Sequence, residues 1–279
     1  MKVKQSFNER LNMLISNKSS LLCIGLDPVM AKIPSHLRYE KNPLMMFNRK
    51  IVEATSELAI AYKANLAFYE SEGQNGLEAL NDLETMISKD MLLILDGKRG
   101  DVPHTSKMYA HAYFDQLGAD AVTLSPYMGK DSISPFIESR EKGAFILALT
   151  SNEGVQDFQY LQVGIDPLYL YIGKMVVRWN TNNNCGLVVG AKDLEGLKIL
   201  RNALPDLPFL VPGVGAQGGD LKEVVKFGRN KAGTGLIVSI GRDIIYTDDS
   251  KNFAQKVKQR AQYYVDEMSN LMKTTWNYY

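Results

Sequence analysis

Cysteine and histidine are nearly missing: 2 cysteines and 3 histidines stand in 279 residues. Cys23 lies inside an apolar run and Cys185 follows an Asn-rich stretch. They are too few and too unlike for a disulfide framework or a thiolate metal centre, so both are read as structural. His36, His104 and His111 have no metal-ligand spacing and fall in loop or helix stretches, which leaves them outside the chemistry. No apolar run approaches the ~20 residues of a membrane span, and the opening Met1-Lys-Val-Lys-Gln-Ser-Phe-Asn-Glu-Arg10 lacks an apolar signal core. A cytoplasmic protein with no membrane partner is expected. An excess of either charge is absent too. With Lys+Arg 32 against Asp+Glu 31 the formal net charge is +1, so nothing points to nucleic acid, and any anion bound here has to be handled locally.

What is present is alternation. Short apolar runs, read as strands, recur from end to end: Leu21–Leu26, Leu58–Tyr62, Leu92–Leu95, Ala121–Leu124, Ala144–Leu149, Gly186–Val189, Phe209–Val211 and Gly235–Val238. Between them lie stretches with apolar residues at three-to-four spacing, such as Pro43–Glu57, Gly76–Ser88, Thr105–Leu117 and Asp220–Phe227, with Asn252–Lys273 as a last outer helix. Ser6-x-x-Glu9 is a capping-box pattern and predicts a short helix beneath the first strand. Eight strand-then-helix units predict a single (β/α)8 TIM barrel occupying residues 1–279 as one domain. The stretch Glu153–Cys185 is longer than one crossover, and its Asn180-Thr-Asn-Asn-Asn184 reads as a loop.

In such barrels the chemistry sits at the carboxyl ends of the strands. That rule gathers Asp27, Lys63, Asn65, Asp96, Lys98, Asp101, Ser151, Gln217 and Arg242 around one rim. The densest cluster is Asp96-Gly-Lys98-Arg-Gly-Asp101, directly after Met91-Leu-Leu-Ile-Leu95. Ionised groups at the end of a buried strand are costly unless paired, so the cluster is either a structural ion network or a catalytic device. Extended geometry puts Asp96 and Lys98 on one face, and Lys63 and Asn65 share a face in the same way. Negative neighbours favour a protonated Lys98, which suits a fixed cation and proton donor facing a developing carbanion and does not suit a Schiff-base nucleophile.

Pro212-Gly-Val-Gly-Ala-Gln-Gly-Gly219 contains Gly213-x-Gly215-x-x-Gly218, but the next strand runs on to Gly241-Arg242 without the acidic residue that a dinucleotide fold places on the ribose. Glycine-rich loops after the seventh and eighth strands of a barrel commonly hold phosphate through backbone N–H groups, with Gly241 and the planar fork of Arg242 completing that site.

Taken together, Cys-Ile-Gly-Leu-Asp27-Pro, Tyr-Lys63-Ala-Asn-Leu-Ala-Phe-Tyr-Glu70, Asp96-Gly-Lys98-Arg-Gly-Asp101-Val-Pro-His-Thr105, Leu-Thr-Ser151-Asn, the Gln217 loop and Gly-Arg242 resemble the orotidine 5′-monophosphate decarboxylase family over essentially the whole chain. Members of that family turn orotidine monophosphate into uridine monophosphate and CO2 in pyrimidine synthesis. Tyr127-Met-Gly-Lys-Asp131 and the chain length are similar to the bacterial subgroup with the Lys-Arg-Gly-Asp signature, except that Gly97 stands where that subgroup usually has Ala and Pro103 where it often has Gly. The resemblance implies that Lys63, Asp96, Lys98 and Asp101 form the catalytic charge network. It implies that Asp27, Lys63 and Thr105 hold the ribose, Ser151 the pyrimidine edge, and Gln217 with Arg242 the phosphate. It further implies a homodimer in which Asp101 and Thr105 reach into the neighbouring subunit's site, and no metal or organic cofactor.

Two other readings stand beside it. Asp-x-Lys-x-x-Asp is shared with related sugar-phosphate decarboxylases and aldolases that use Mg2+, and the same barrel could be a catalytically silent nucleotide binder, although the intact Asp96, Lys98 and Asp101 set argues against silence.

Overall fold

The computed structural model describes residues 4–215 and 218–274. Its centre is a closed barrel of eight parallel strands in the order β1 (Leu22–Gly25), β10 (Leu236–Ile240), β9 (Phe209–Pro212), β8 (Cys185–Val189), β5 (Gly143–Leu149), β4 (Ala121–Leu124), β3 (Leu92–Arg99) and β2 (Ala61–Asn65), which closes on β1. Strands covered on both faces need no polar alternation, and β1, β4, β8 and β10 are buried at every position.

Helices α2 (Pro43–Thr55), α3 (Leu66–Glu70), α4 (Gly73–Met86), α5 (Pro103–His111), α6 (Lys130–Ile137), α8 (Leu168–Trp179), α9 (Leu194–Ala203), α10 (Leu221–Gly228), α11 (Arg242–Ile245) and α12 (Phe253–Lys273) follow the strands. Their starts are written in side chains: Asn42, Asp193 and Asp220 each accept the backbone N–H three residues on, and Pro43 and Pro103 stand where a helix needs no N–H. Pro103 in place of a glycine is therefore a helix-starting residue.

Helix α1 (Phe7–Lys18) closes the barrel bottom, and its capping box is complete: Glu9 N–H donates to Ser6 Oγ at 3.2 Å and Ser6 N–H to Glu9 Oε2 at 2.7 Å. Phe7 meets Phe145 edge-on with centroids 5.8 Å apart, in space left by Gly143, where a Cβ would fall 2.5 Å from the Phe7 ring.

Three sequence expectations shift. The run at Leu58–Tyr62 is not all strand: Leu58 and Ala59 donate to Thr55 and prolong the end of α2, so β2 begins at Ala61 and contains Lys63 and Asn65. The helix expected over Thr105–Leu117 divides into α5 and a wide turn at Ala112–Gln116, closed by Leu117 N–H to Ala112 at 3.0 Å. Within Glu153–Cys185 lie the one-turn helix α7 (Val155–Phe158), a small antiparallel hairpin of β6 (Gln162–Val163) and β7 (Asp166–Pro167), and the amphipathic α8.

Candidate active site

A cavity of roughly 380 Å³ opens at the carboxyl ends of the barrel strands, where all eight strands contribute, through Gly25, Lys63, Asp96, Thr123, Leu149, Gly190, Pro212 and Gly241. Of the sequence-predicted residues it brings together Asp27, Lys63, Asn65, Asp96, Lys98, Ser151, Gly241 and Arg242.

Asp96 is the hub. Lys63 Nζ donates to Asp96 Oδ2 at 2.9 Å, and Lys98 Nζ donates to Oδ1 at 2.6 Å. Lys63 and Asp96 are 6% and 8% exposed, so this is an ion pair out of water, whereas the Lys98 side chain is 46% exposed toward the opening. Burial opposes ionisation of Asp96, but the Lys63 and Lys98 ammonium groups outweigh it and hold the carboxyl well below its ordinary range. Burial likewise opposes the charge on Lys63, and the Asp27 and Asp96 carboxylates reverse the balance and raise it above the ordinary lysine value.

Sequence reasoning missed Thr123. Its Oγ1 donates to Asp96 Oδ1 at 2.8 Å and accepts the Lys98 N–H at 3.0 Å, so one hydroxyl fixes both members of the pair. The signal available was a lone hydroxyl inside the apolar run Ala121-Val-Thr-Leu124. Extended geometry was also too simple for Lys98: the pairing of β3 with β4 shifts register between Leu95 and Arg99, and Lys98 has φ +47°. Lys98 and Asp96 still meet, through a left-handed backbone.

Asp27 sits on a doubly held turn. Asn65 N–H donates to Asp27 Oδ1 at 3.2 Å, and Tyr246 OH donates to the Asp27 carbonyl at 2.8 Å while accepting Val29 N–H at 2.7 Å. The Asn65 side chain also caps α3 by accepting Ala67 N–H at 3.2 Å. Gly25 and Gly241 are required by close approach, since a Cβ on Gly25 would lie 3.1 Å from Gly241 Cα. Arg242 opens α11 on the exposed rim. Its neighbour Asp243 anchors that turn by accepting Arg260 Nε at 2.9 Å and Nη2 at 2.6 Å. In the glycine-rich loop Gly213, Gly215 and Gly218 take φ of +101°, +79° and +86°, which a side chain would resist. Gln217 lies outside the described residues. Ser151 lines the cavity on the side opposite Asp27 in the strand order, and its buried Oγ has no hydrogen-bond partner among the described residues.

Asp101 and Thr105 do not line this cavity. Asp101 Oδ1 accepts the N–H of Val102 at 2.7 Å, and among the described residues no lysine or arginine pairs with it, so within one chain Lys98 meets one carboxylate rather than the two its sequence neighbours suggest. Burial pushes the Cys23 and Cys185 thiols up to about 12, which makes them inert core groups. His111 Nδ1 lies 2.8 Å from Asp115, and none of the three histidines lines the cavity. At Gly97 an alanine methyl would come 2.8 Å from Leu66 Cδ1, the flexible end of a side chain, so the small departure from the usual Ala leaves the ion cluster untouched. Among the described residues no three His, Cys, Asp or Glu side chains converge as a metal site, and no helix is long and apolar enough to cross a membrane.

A parallel β/α barrel with a two-lysine, one-carboxylate cluster at the carboxyl ends of its strands and Arg242 on the rim defines an enzyme of the barrel lyase class. The chain belongs to the orotidine 5′-phosphate decarboxylase / HUMPS family, whose profile matches residues 20–257. It is 44% identical over 266 residues to the orotidine 5′-phosphate decarboxylase of Christiangramia forsetii, covering 94% of this chain and 97% of that one. Among solved structures it is similar to the OMP decarboxylase of Leishmania donovani, with 34% identity, a TM-score of 0.84 and coverage of 97% and 100%. It is also similar to the UMP synthase of the same organism, with 38% identity and a TM-score of 0.82, covering 94% of this chain and 57% of that longer one.

Proposed function

We infer that this chain decarboxylates orotidine 5′-monophosphate to uridine 5′-monophosphate and CO2, the carboxy-lyase step of pyrimidine synthesis, as a single barrel domain. The observation that carries the reading is the Asp96 carboxylate held at one oxygen by Lys63 and at the other by Lys98, 2.9 and 2.6 Å away, inside the cavity of a chain of this family.

The roles follow from the chemistry. The phosphate is met by Arg242, beside Gly241, and by the glycine-rich loop with Gln217; the ribose by Asp27 and Lys63, with Asn65 holding the Asp27 carboxylate; the pyrimidine edge by Ser151, whose hydroxyl has no other partner among the described residues. The substrate carboxylate lies against the fixed negative charge of Asp96. The C6–carboxylate bond breaks with its electron pair staying on C6, CO2 leaves, and the carbanion forms beside the Lys98 ammonium, which a rigid cation stabilises without reorganisation. Lys98 then gives its proton to C6 and regains one from solvent.

A homodimer is part of this reading. Asp101, on a loop beyond the strand end, and Thr105, on the first turn of α5, do not line their own chain's cavity, and in this reading they serve a partner's site. A metabolic barrel of this kind fits a cytoplasmic location.

The test is turnover of orotidine 5′-monophosphate followed by ultraviolet absorbance, with and without EDTA. Turnover indifferent to EDTA is expected. EDTA-sensitive turnover of a sugar phosphate with none of the nucleotide would assign the chain to the Mg2+-dependent relatives, and nucleotide binding without turnover to a silent barrel.

A further inference from the structure

Ser151, whose buried hydroxyl has no partner among the described residues, is held in place by a residue that does not touch the cavity. Thr150 N–H donates to Gln159 Oε1 at 2.8 Å, and Gln159 Nε2 donates to Thr150 Oγ1 at 2.8 Å, so one amide grips both the backbone and the side chain of the residue before Ser151. Thr150 Oγ1 then donates to Asn152 Oδ1 at 2.6 Å, which ties the far side of Ser151 to the same chain of bonds. On the opposite flank Gly190 leaves the room: a Cβ there would come 2.1 Å from Ser151 Oγ. Gln159 is itself fixed, its N–H donating to Val155 at 3.0 Å and its carbonyl accepting Tyr169 N–H at 3.0 Å. The next residue, Tyr160, donates its hydroxyl to Asp193, the cap of α9. The segment Val155–Pro167 thus works as a bracket from α8 and α9 to the Thr150–Asn152 turn.

We propose that Gln159 is a positioning residue, whose amide clamp on Thr150 fixes Ser151, a hydroxyl without a partner among the described residues, for the base of the nucleotide and so sets affinity for the pyrimidine rather than for the ribose phosphate. The inference rests on the nucleotide reading given above. A buried hydroxyl makes a useful hydrogen bond only if its backbone cannot drift by a few tenths of an ångström. The side-chain amide supplies a donor and an acceptor in one plane, which matches the two groups that Thr150 offers.

Wild-type turnover of orotidine 5′-monophosphate comes first; its absence would overturn the nucleotide reading and this proposal with it, whereas turnover present leaves the binding pattern below to decide the proposal alone. With turnover established, inhibition constants are measured for uridine 5′-monophosphate and for ribose 5-phosphate, which has no base. Gln159→Ala is expected to weaken uridine 5′-monophosphate about tenfold and ribose 5-phosphate less than twofold. In a Ser151→Ala background the same change should add less than twofold, because the group it positions is gone. Equal weakening of both ligands, no weakening, or full additivity with Ser151→Ala would overturn the proposal. Should Gln159→Ala fail to fold, Gln159→Glu keeps the acceptor for Thr150 N–H and removes the donor. It is expected to weaken uridine 5′-monophosphate about threefold and spare ribose 5-phosphate, and any other pattern overturns the proposal.

Discussion

Lys98 reaches Asp96 at 2.6 Å from a backbone turned into the left-handed region, with φ +47°. For a residue with a side chain that conformation costs on the order of 1 kcal/mol or more, and it persists only where surroundings hold it. Here the holding group is Thr123, which accepts the Lys98 N–H and donates to the same carboxylate oxygen that Lys98 binds. The ammonium is therefore placed before substrate arrives, which is the condition for electrostatic stabilisation of a new carbanion.

The buried half of the cluster has a pH signature. Asp96 is held below the 3.8 of an ordinary aspartate, so it adds stability above that value and loses it as pH falls through its folded value. Lys63 is raised above 10.5, so it adds stability below that value and loses it only as pH rises through a still higher one. Between those limits the pair is fully in force. Lys63→Met is expected to cost about 3–5 kcal/mol at pH 7, because it strands a buried carboxylate. On going to pH 3 the wild type loses more than the variant, so in urea unfolding the gap should narrow by about 1 kcal/mol. A gap that stays constant or widens would contradict the assignment.

With Arg242 proposed to meet the phosphate, Arg242→Ala should fall on phosphate binding. A loss of kcat/KM for orotidine 5′-monophosphate of about a hundredfold is expected, with little change for orotidine, which carries no phosphate. Steady-state kinetics on both substrates separate the cases, and an equal loss on each would remove Arg242 from the phosphate site.

Much of this site was legible in the sequence because its charges follow apolar runs. Asp96 and Lys98 could be placed at a strand end, Ser6 and Glu9 declared their capping box, and Gly241-Arg242 marked the rim. What stayed hidden was three-dimensional. The apolar run at Leu58–Tyr62 does not say where the turn after α2 ends and β2 begins, because Leu58 and Ala59 are as buried as the strand itself. Thr123 looks like any strand threonine until β4 is laid beside β3. Asp101 stands five residues beyond Asp96, yet its carboxylate accepts its own chain's Val102 N–H and pairs with no lysine or arginine among the described residues. The bracket from Gln159 to Thr150 crosses a segment whose pattern gave no element, since a one-turn helix and a two-residue hairpin leave no periodicity to read.

Asp101 makes the proposed dimer testable. Lys98→Ala and Asp101→Ala, each inactive alone, should recover about a quarter of wild-type activity when mixed and allowed to exchange subunits, because half the dimers are mixed and each holds one wholly native site. Exchange is verified by native mass spectrometry of tagged chains. No recovery after verified exchange would confine Asp101 to its own chain's site.

The central claim is that Lys98 both stabilises the C6 carbanion and protonates it, and the most direct measurement is turnover by purified Lys98→Ala. With Lys98 in that role, kcat for orotidine 5′-monophosphate is expected to fall by more than about a hundredfold, at least ~3 kcal/mol of barrier, while the fold and the affinity for uridine 5′-monophosphate are largely kept. A Lys98→Ala enzyme that folds, binds the product and turns over at a near-native kcat would contradict it.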